Sequence, residues 1–272
     1  MPTPAGPFWP FAKYHGNGND FLVGFEAPGF GARKAAALCD RHRGVGADGI
    51  MLIAPPTGGV RGLRIFNADG SPATFSGNGI RIAARHLWRL GEPGRSLELR
   101  PPAGTVTVRR GPGSRTVLEF DPALLRRPGD PVAAPFRPPP SFTAGYREAF
   151  RVVLGNPHAV FRVADADAVP ARIVAACDSL RCPSPLFPDG VNVSLVSPLG
   201  GSRFRLRTWE RGVGLSLSCA SAASACFHVG QLLGFLPTRV LFVQDGGELR
   251  VSSRGGATAV DGPITLAFDG AV

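Results

Sequence analysis

The stretch SGNGIRIAARHLWRL (76–90) decides the fold together with a later counterpart, CASAASACFHVGQLL (219–233). In each stretch one small side chain, Ser76 or Cys219, stands directly before apolar residues with helical spacing. Serine is a favoured N-cap residue, because its oxygen can bond a backbone N–H that the helix leaves unpaired. The pattern predicts two helices that begin just after these two residues.

The two helices differ in their apolar patterns. Gly91 and Pro93 end the first helix, whose apolar residues share one face: Ile80, Ala83, Leu87 and Leu90. The second helix is apolar almost all round, at Ala223, Cys226, Phe227, Val229, Leu232 and Leu233. A helix without a polar face is buried, so we expect it to run through the middle of its domain.

The sequence around these helices contains an internal repeat. The motifs GNGNDF (16–21), GADGIMLI (46–53) and LRIFNADG (63–70) are matched in order by LGNPHAVF (154–161), FPDGVNVSLV (187–196) and LRTWERGVG (206–214). The offsets are 137, 141 and 143 residues for the pairs Asn19–Asn156, Asp48–Asp189 and Ser76–Cys219. Three pairs in register predict two similar domains that face each other.

Turn and linker signals complete the domain plan. The segment PGDPVAAPFRPPPS (128–141) has the proline density of a linker, so we place the domain boundary there. Each half also carries a predicted hairpin, at 105–120 and at 239–253, with glycine-rich turns between alternating strands. This mixture of strands and helices predicts a fold of the α/β (α+β) class.

The two helix starts suit proton transfer at a carbon atom. Backbone N–H groups at a helix N-terminus bind a carboxylate, and their partial positive charge is expected to lower the pKa of a cysteine. One group can then remove an α-proton while the other delivers a proton to the opposite face. Two structural alternatives stay open at this point: Ser76 as a simple N-cap and Cys219 as a small buried hydrophobe.

Composition argues against other classes. The formal net charge is +10, yet the arginines are scattered and not interleaved with aromatic residues, which argues against nucleic-acid binding. Lys13 and Lys34 are the only lysines, and neither has the setting of a Schiff-base lysine in a pyridoxal-phosphate racemase. With no signal-like N-terminus and no membrane-length apolar run, the five cysteines are expected to be reduced thiols in a cytoplasmic protein without a membrane partner.

Seven motifs closely resemble the signature stretches of the diaminopimelate epimerase family, in the family's order. They are HGNGNDF (15–21), LCDRHRGVGADG (38–49), RIFNADG (64–70), SGNGIR (76–81), GNPHAV (155–160), VNVSLV (191–196) and WERGVG (209–214). The ending DGPITLAFDG (261–270) resembles the family's final strand. The resemblance implies two pseudo-symmetric domains, each a mixed sheet wrapped around a central helix. We expect residues 1–127 with about 264–272 to form the first domain and 142–263 the second.

The resemblance also implies the activity: a cofactor-independent isomerase, with no metal and no organic cofactor, that interconverts LL- and meso-diaminopimelate. Its expected partner is this small amino-acid substrate, and homodimerisation stays open. Cys219 matches one catalytic thiol, Ser76 stands at the position of the other, and His158 and Glu210 match assisting groups. Backbone amides that match those holding the reacting carboxylate belong to Gly77, Asn78, Ala220 and Ser221. Side chains that match substrate-binding positions belong to Asn19, Asn67, Asn156, Asn192, Glu210 and Arg211.

The chain departs from the family's pattern at three places. Ser76 replaces a cysteine, and a hydroxyl is a far weaker acid than a thiol. Ala220 and Ala222 replace glycines, and Leu215-Ser216 replaces Glu-Thr. Three functions therefore stay open: an epimerase that uses Ser76 as a weak partner, a one-base relative such as a 3-hydroxy amino-acid dehydratase or another amino-acid racemase, and a noncatalytic amino-acid-binding protein.

Overall fold

A computed structural model of the chain describes residues 8–125, 133–138, 146–185, 187–188, 190–211 and 213–272. They divide into two compact units: the first runs up to Phe120 and includes Asp261–Val272, and the second is Asp121–Val260. The expected linker, 128–141, lies mostly outside the described residues. Its described part includes a two-residue strand, β9 (Ala134–Pro135).

The described part of the first unit is a mixed sheet with two helices. Its elements are β1 (Pro10–Gly16), β2 (Asn19–Phe25), α1 (Ala32–Cys39), β3 (Gly49–Thr57), β4 (Val60–Asn67), β5 (Pro72–Ala73), α2 (Gly77–Arg89), β6 (Ser96–Arg100), β7 (Val106–Arg110), β8 (Arg115–Phe120) and the C-terminal β18 (Thr265–Ala271). Strands β2 and β3 are parallel, as are β4 and β6, whereas β1–β2, β3–β4 and β6–β7 are antiparallel. Strand β18 returns to pair with β1.

The second unit has the same order of elements. After a short 3₁₀ helix (Pro122–Leu125) and β9 come β10 (Tyr146–Leu154), β11 (Asn156–Val163), α3 (Ala171–Leu180), β12 (Asn192–Gly200), β13 (Arg203–Glu210), β14 (Gly214–Ser216), α4 (Ala220–Leu232), β15 (Arg239–Gln244), β16 (Gly247–Arg254) and β17 (Ala257–Pro263), of which the last three residues belong to the first unit. Here β11–β12 and β13–β15 are parallel, and β10–β11, β12–β13 and β15–β16 are antiparallel. Because order and strand direction both match the first unit, the sequence repeat is a structural repeat.

Helices α2 and α4 confirm the two predicted helices, with one correction. Eight consecutive residues, 220–227, are buried in α4, as expected for a central helix. The last turn is different: Leu232 and Leu233 are 53% and 44% exposed, although they were expected to be buried. The chain leaves the core here to reach β15, so these two leucines end at the surface.

The C-terminal segment corrects a second expectation. The residues 261–270 were expected to form one strand, but the chain changes strands at Ile264, between β17 and β18. Pro263 has no N–H to continue a ladder, and the Ile264 side chain is buried. Both predicted hairpins are confirmed, as β7–β8 and β15–β16. Within the described residues, no helix is both long and apolar enough to cross a membrane.

A tight turn after β4 offers a test of this packing. Gly70 has φ +82°, and a Cβ there would lie 2.3 Å from the Ala32 carbonyl oxygen, whereas Gly91, at φ +94°, has nothing within 4 Å. We expect Gly70→Ala to lower the free energy of unfolding by about 1–3 kcal/mol from overpacking, in addition to the backbone strain that both positions share. Urea denaturation of Gly70→Ala beside Gly91→Ala measures the difference. Equal losses would contradict the packing described here.

Candidate active site

Ser76 begins α2 as its N-cap, with extended backbone angles (φ −144°, ψ 108°). Its Oγ accepts a hydrogen bond from the Gly79 N–H at 3.1 Å. A side chain at Gly79 would collide, since a Cβ there would lie 2.7 Å from Met51 Cε and 3.1 Å from Ser76 Oγ. The hydroxyl is thus held at the positive end of the helix dipole.

Asn19 and Asn78 meet beside this helix start. Asn78, on the first turn of α2, donates from Nδ2 to Asn19 Oδ1 at 3.0 Å. Asn19, at the start of β2, donates in turn to Asp48 Oδ2 at 2.8 Å. Strands β2 and β3 run in parallel with Phe21 opposite Gly49, which brings Asn19 and Asp48 to the same end of the sheet. The structure therefore brings Ser76, Gly77, Asn78 and Asn19 together.

Asn67 belongs to its own turn. It lies at the end of β4, where its Nδ2 donates to Ser71 Oγ at 2.9 Å and its carbonyl accepts from the Gly70 N–H at 3.0 Å. In the sheet, Asn67 lies opposite Gly49, the residue that directly follows Asp48. The hydrogen bonds described for Asn67 serve the turn, which is the common structural role of asparagine.

Cys219 repeats the geometry of Ser76 in the second unit. It is the N-cap of α4 (φ −129°, ψ 109°), and its Sγ accepts from the Ala222 N–H at 3.5 Å. Ser221 Oγ lies 3.3 Å from the same sulfur. The Cys219 N–H donates to Gln244 Oε1 at 2.7 Å, which anchors the start of the helix to the end of β15.

The protonation of Cys219 differs from the expectation. The helix N-terminus was expected to lower the thiol pKa, but burial raises this pKa well above its ordinary value, and the Glu210 carboxylate raises it further. The hydrogen bonds from Ser221 and Ala222 act in the lowering direction and are outweighed. The cause is desolvation: Cys219 is only 4% exposed, and a thiolate there loses its hydration. The thiol is protonated in this structure at neutral pH.

Polar side chains also converge near the end of β13. Asn192 Oδ1 accepts from the Arg211 N–H at 2.9 Å, and Arg211 Nη2 lies 3.4 Å from Asn156 Oδ1. His158 stands opposite Asn192 in the parallel pair β11–β12 and is fully buried. Burial, followed by the charge of Arg211, lowers the pKa of His158 to about 3, so its imidazole is neutral at pH 7.

Three residues that contact predicted site residues were not themselves predicted as site residues from the sequence. Asp48 and Arg81 lie within quoted motifs, GADGIMLI and SGNGIR, but no pattern distinguished them from structural residues. Gln244 ends β15 without any motif, and only the fold brings it to Cys219. Among the described residues, no group of three or more His, Cys, Asp or Glu could hold a metal ion.

Comparisons with known proteins show the family to which the chain belongs. The family model described as "Diaminopimelate epimerase" matches residues 11–116 and 150–262. A diaminopimelate epimerase of Xanthomonas euvesicatoria pv. vesicatoria is 37% identical, over 96% of this chain and 95% of the relative. A diaminopimelate epimerase of Acidiphilium cryptum is 35% identical, again over 96% and 95%.

The fold itself is shared more widely. A crystal structure of a Bacillus anthracis protein of the PhzF phenazine-biosynthesis family superimposes with a TM-score of 0.73. The alignment covers 98% of this chain and 99% of that one at 12% sequence identity. At this identity the likeness shows the fold alone.

Proposed function

Because the chain belongs to the diaminopimelate epimerase family, we propose that it interconverts LL- and meso-diaminopimelate by proton transfer at one α-carbon. The observation that carries the proposal is the pair of matched helix starts, in which Ser76 caps α2 and Cys219 caps α4 by the same type of bond. The reaction belongs to lysine biosynthesis. The substrate is a free amino acid, and we place the enzyme in the cytoplasm as part of the same proposal.

The reacting carboxylate is assigned to backbone amides of the helix starts. The capping bonds use the Gly79 and Ala222 amides, the third of each helix. We assign the preceding amides to the carboxylate: Gly77, Asn78, Ala220 and Ser221. Hydrogen bonds to a carboxylate and the helix dipole both favour developing negative charge, so they also stabilise the carbanion that forms when the α-proton leaves.

The remaining charges of the substrate are assigned to side chains. Glu210 accepts hydrogen bonds from an ammonium, and the Arg211 guanidinium can bond a carboxylate through two N–H groups. Asn192 orders the backbone between these two residues by accepting the Arg211 N–H. We assign the amides of Asn19, Asn67 and Asn156 to polar contacts with the substrate. His158, being neutral at pH 7, is assigned an orienting role without charge.

The proton steps use Cys219 and Ser76 in different ways. The Cys219 thiol first releases its proton to solvent, and the resulting thiolate takes the α-proton and becomes a thiol again, which leaves a carbanion. The Ser76 hydroxyl passes its proton to the opposite face of that carbon and takes a replacement from water. The proton released by Cys219 and the one taken up by Ser76 balance, so no proton is gained or lost overall. Because a hydroxyl is a weak acid and its conjugate base is costly to form, the Ser76 step limits the rate.

Glu210 links substrate binding to the ionisation of Cys219. Its negative charge raises the Cys219 pKa in the structure, and a bound ammonium would neutralise that charge. We expect Glu210→Gln to shift Cys219 ionisation to lower pH, because a neutral amide no longer opposes the thiolate. The pH dependence of iodoacetamide labelling, measured by peptide mass spectrometry without substrate, tests this. The exposed Cys182 serves as an internal reference in the same spectra, and an unshifted Cys219 midpoint would contradict the coupling.

The activity itself is tested with the purified wild-type protein and LL-diaminopimelate. Chiral chromatography should show conversion to the meso isomer and an approach to the same mixture from either side. A protein that binds neither isomer and converts neither would refute the proposal.

One observation favours a second function. Ser76 is a poor proton carrier, so a reaction that needs only one base at the α-carbon would use Cys219 alone. Dehydration of a 3-hydroxy amino acid is such a reaction. The base removes the α-proton, and the hydroxyl leaves the neighbouring carbon as water. Release of a 2-oxo acid and ammonia from serine or threonine by the purified protein would favour this function over epimerisation.

A further inference from the structure

A directional chain of hydrogen bonds runs through the first unit from Asp48 to Arg81. Asn19 Nδ2 donates to Asp48 Oδ2 at 2.8 Å, and Asn78 Nδ2 donates to Asn19 Oδ1 at 3.0 Å. Arg81 Nη2 then donates to Asn78 Oδ1. Two side-chain amides, one of them the proposed substrate ligand Asn19, therefore lie between a carboxylate and a guanidinium.

The two ends determine which way each amide points. An ionised carboxylate only accepts hydrogen bonds, and a guanidinium only donates them, whereas an asparagine amide can do either after a 180° flip. Burial and the charge of Asp20 raise the pKa of the Asp48 carboxyl, whereas the hydrogen bonds from Asn19 and Arg41 act in the opposite direction. Asp48 is held as an acceptor by three donors: Asn19, the Asp20 N–H at 3.2 Å and Arg41 Nη2 at 2.8 Å. A flip of Asn19 would place its NH2 group against that of Asn78 and its oxygen against Asp48.

Arg81 is a buried cation that donates hydrogen bonds to the first turn of α2. Its side chain is fully buried, and its hydrogen bonds within the described residues go to neutral oxygens, those of Gly77 and Asn78. Burial lowers its pKa to about 10, which still leaves the guanidinium charged at pH 7. The charge of Asp261 acts against this lowering of the pKa, but the hydrogen bonds of Arg81 within the described residues still go to neutral groups. A buried cation held in this way is unfavourable for stability, which points to a role beyond packing.

We propose that Asp48 and Arg81 are positioning residues that lock the amide orientation of Asn19 and Asn78 for substrate binding. The lock leaves Asn19 with one N–H and one oxygen lone pair in fixed directions, so the substrate meets a preset donor and acceptor. This inference rests on the proposed assignment of Asn19 to the substrate. It adds two residues that do not touch the substrate and act through Asn19 and Asn78.

The first test is kinetic. Asp48→Asn replaces the acceptor-only end by a group that fits either amide orientation, and Arg81→Met removes the donor-only end. We expect either change to raise KM for LL-diaminopimelate by about 5- to 100-fold, the range for a misplaced buried hydrogen-bonding group. The kcat should stay within about twofold, because Asn19 binds substrate and transition state alike. Arg81→Lys keeps a donor-only cation and should restore KM most of the way.

A matched control separates positioning from the loss of an ion pair. Glu92→Gln removes a half-buried carboxylate that bonds Arg61 at 2.8 Å, the same distance as Asp48 to Arg41. We expect it to leave KM unchanged.

A second readout does not depend on activity. In ligand-free protein, the Asn19 side-chain NH2 protons should exchange slowly with solvent by NMR in the wild type and in Arg81→Lys. They should exchange faster in Asp48→Asn and Arg81→Met. Unchanged KM and unchanged amide exchange in Asp48→Asn, which is isosteric and expected to fold, would overturn the proposal. A wild type that does not bind diaminopimelate would refute the proposed function instead, and the amide exchange would still decide on the lock.

Discussion

A Cys219→Ala variant loses diaminopimelate epimerase activity by roughly 10²- to 10⁴-fold, the scale expected for removing a general base. The loss appears in kcat, because the thiol takes the α-proton only as the transition state forms. Affinity for the substrate stays near that of the wild type, since the amides of Ala220 and Ser221 and the side chains of Glu210 and Arg211 remain. Steady-state kinetics and calorimetric titration of the variant with meso-diaminopimelate measure the two quantities separately.

Cys226→Ala is the matched control. Cys226 lies on the same helix, is fully buried, and burial raises its thiol pKa to about 12. Each alanine variant should lower the free energy of unfolding by about 1 kcal/mol, a usual value for a buried side chain reduced by one atom. The Cys226 variant should keep wild-type kinetics. Equal activity in the two variants would show that Cys219 is a packing residue and that the catalytic assignment is wrong.

Restoring a thiol at the other helix start should have the opposite effect. We expect Ser76→Cys to raise the kcat of epimerisation by about 10²- to 10³-fold, because a thiol both gives and takes a proton near neutral pH. The substitution is conservative in shape, since Cys219 already shows that a sulfur can accept the capping bond of such a helix. Initial rates with LL-diaminopimelate over a range of pH measure the gain.

The double variant Ser76→Cys, Cys219→Ala shows whether the gain needs both groups. It should be as inactive in epimerisation as Cys219→Ala alone, because one thiol cannot serve both faces of the carbon. If Ser76→Cys gives no gain, the rate of epimerisation is limited at the second helix start instead. There Ala220 and Ala222 carry methyl groups at buried positions. Ala220→Gly in the Ser76→Cys background then measures how much the methyl at that position restricts the substrate.

The parts of the fold that the sequence predicted are those with a local signal. Helices α2 and α4 were predicted from a capping residue and a periodic apolar pattern, and the hairpins from glycine-rich turns. The internal repeat predicted the common plan of the two units, because the motif pairs sit on the same elements: Asn19 and Asn156 at the starts of β2 and β11, and Ser76 and Cys219 at the helix starts.

The errors concern tertiary environment. Leu232 and Leu233 continue the apolar pattern of α4, and only the course of the chain into β15 explains why they are exposed. The pKa of Cys219 was predicted from the helix dipole, a local effect, but the direction is set by desolvation and by Glu210, which is nine residues away in sequence. The lock on Asn19 was also not foreseen, because Asp48 and Asn78 reach Asn19 only through the fold, although Arg81 and Asn78 are three residues apart on α2.

The central claim is that one thiol and one hydroxyl still transfer protons on both faces of the α-carbon. Incubation of LL-diaminopimelate with the wild-type protein in deuterated water tests it most directly, with both α-positions followed by NMR and chiral separation. We predict that deuterium enters at the inverted carbon and that the deuterated product is the meso isomer. Deuterium with retained configuration, or no deuterium after long incubation, would contradict the account.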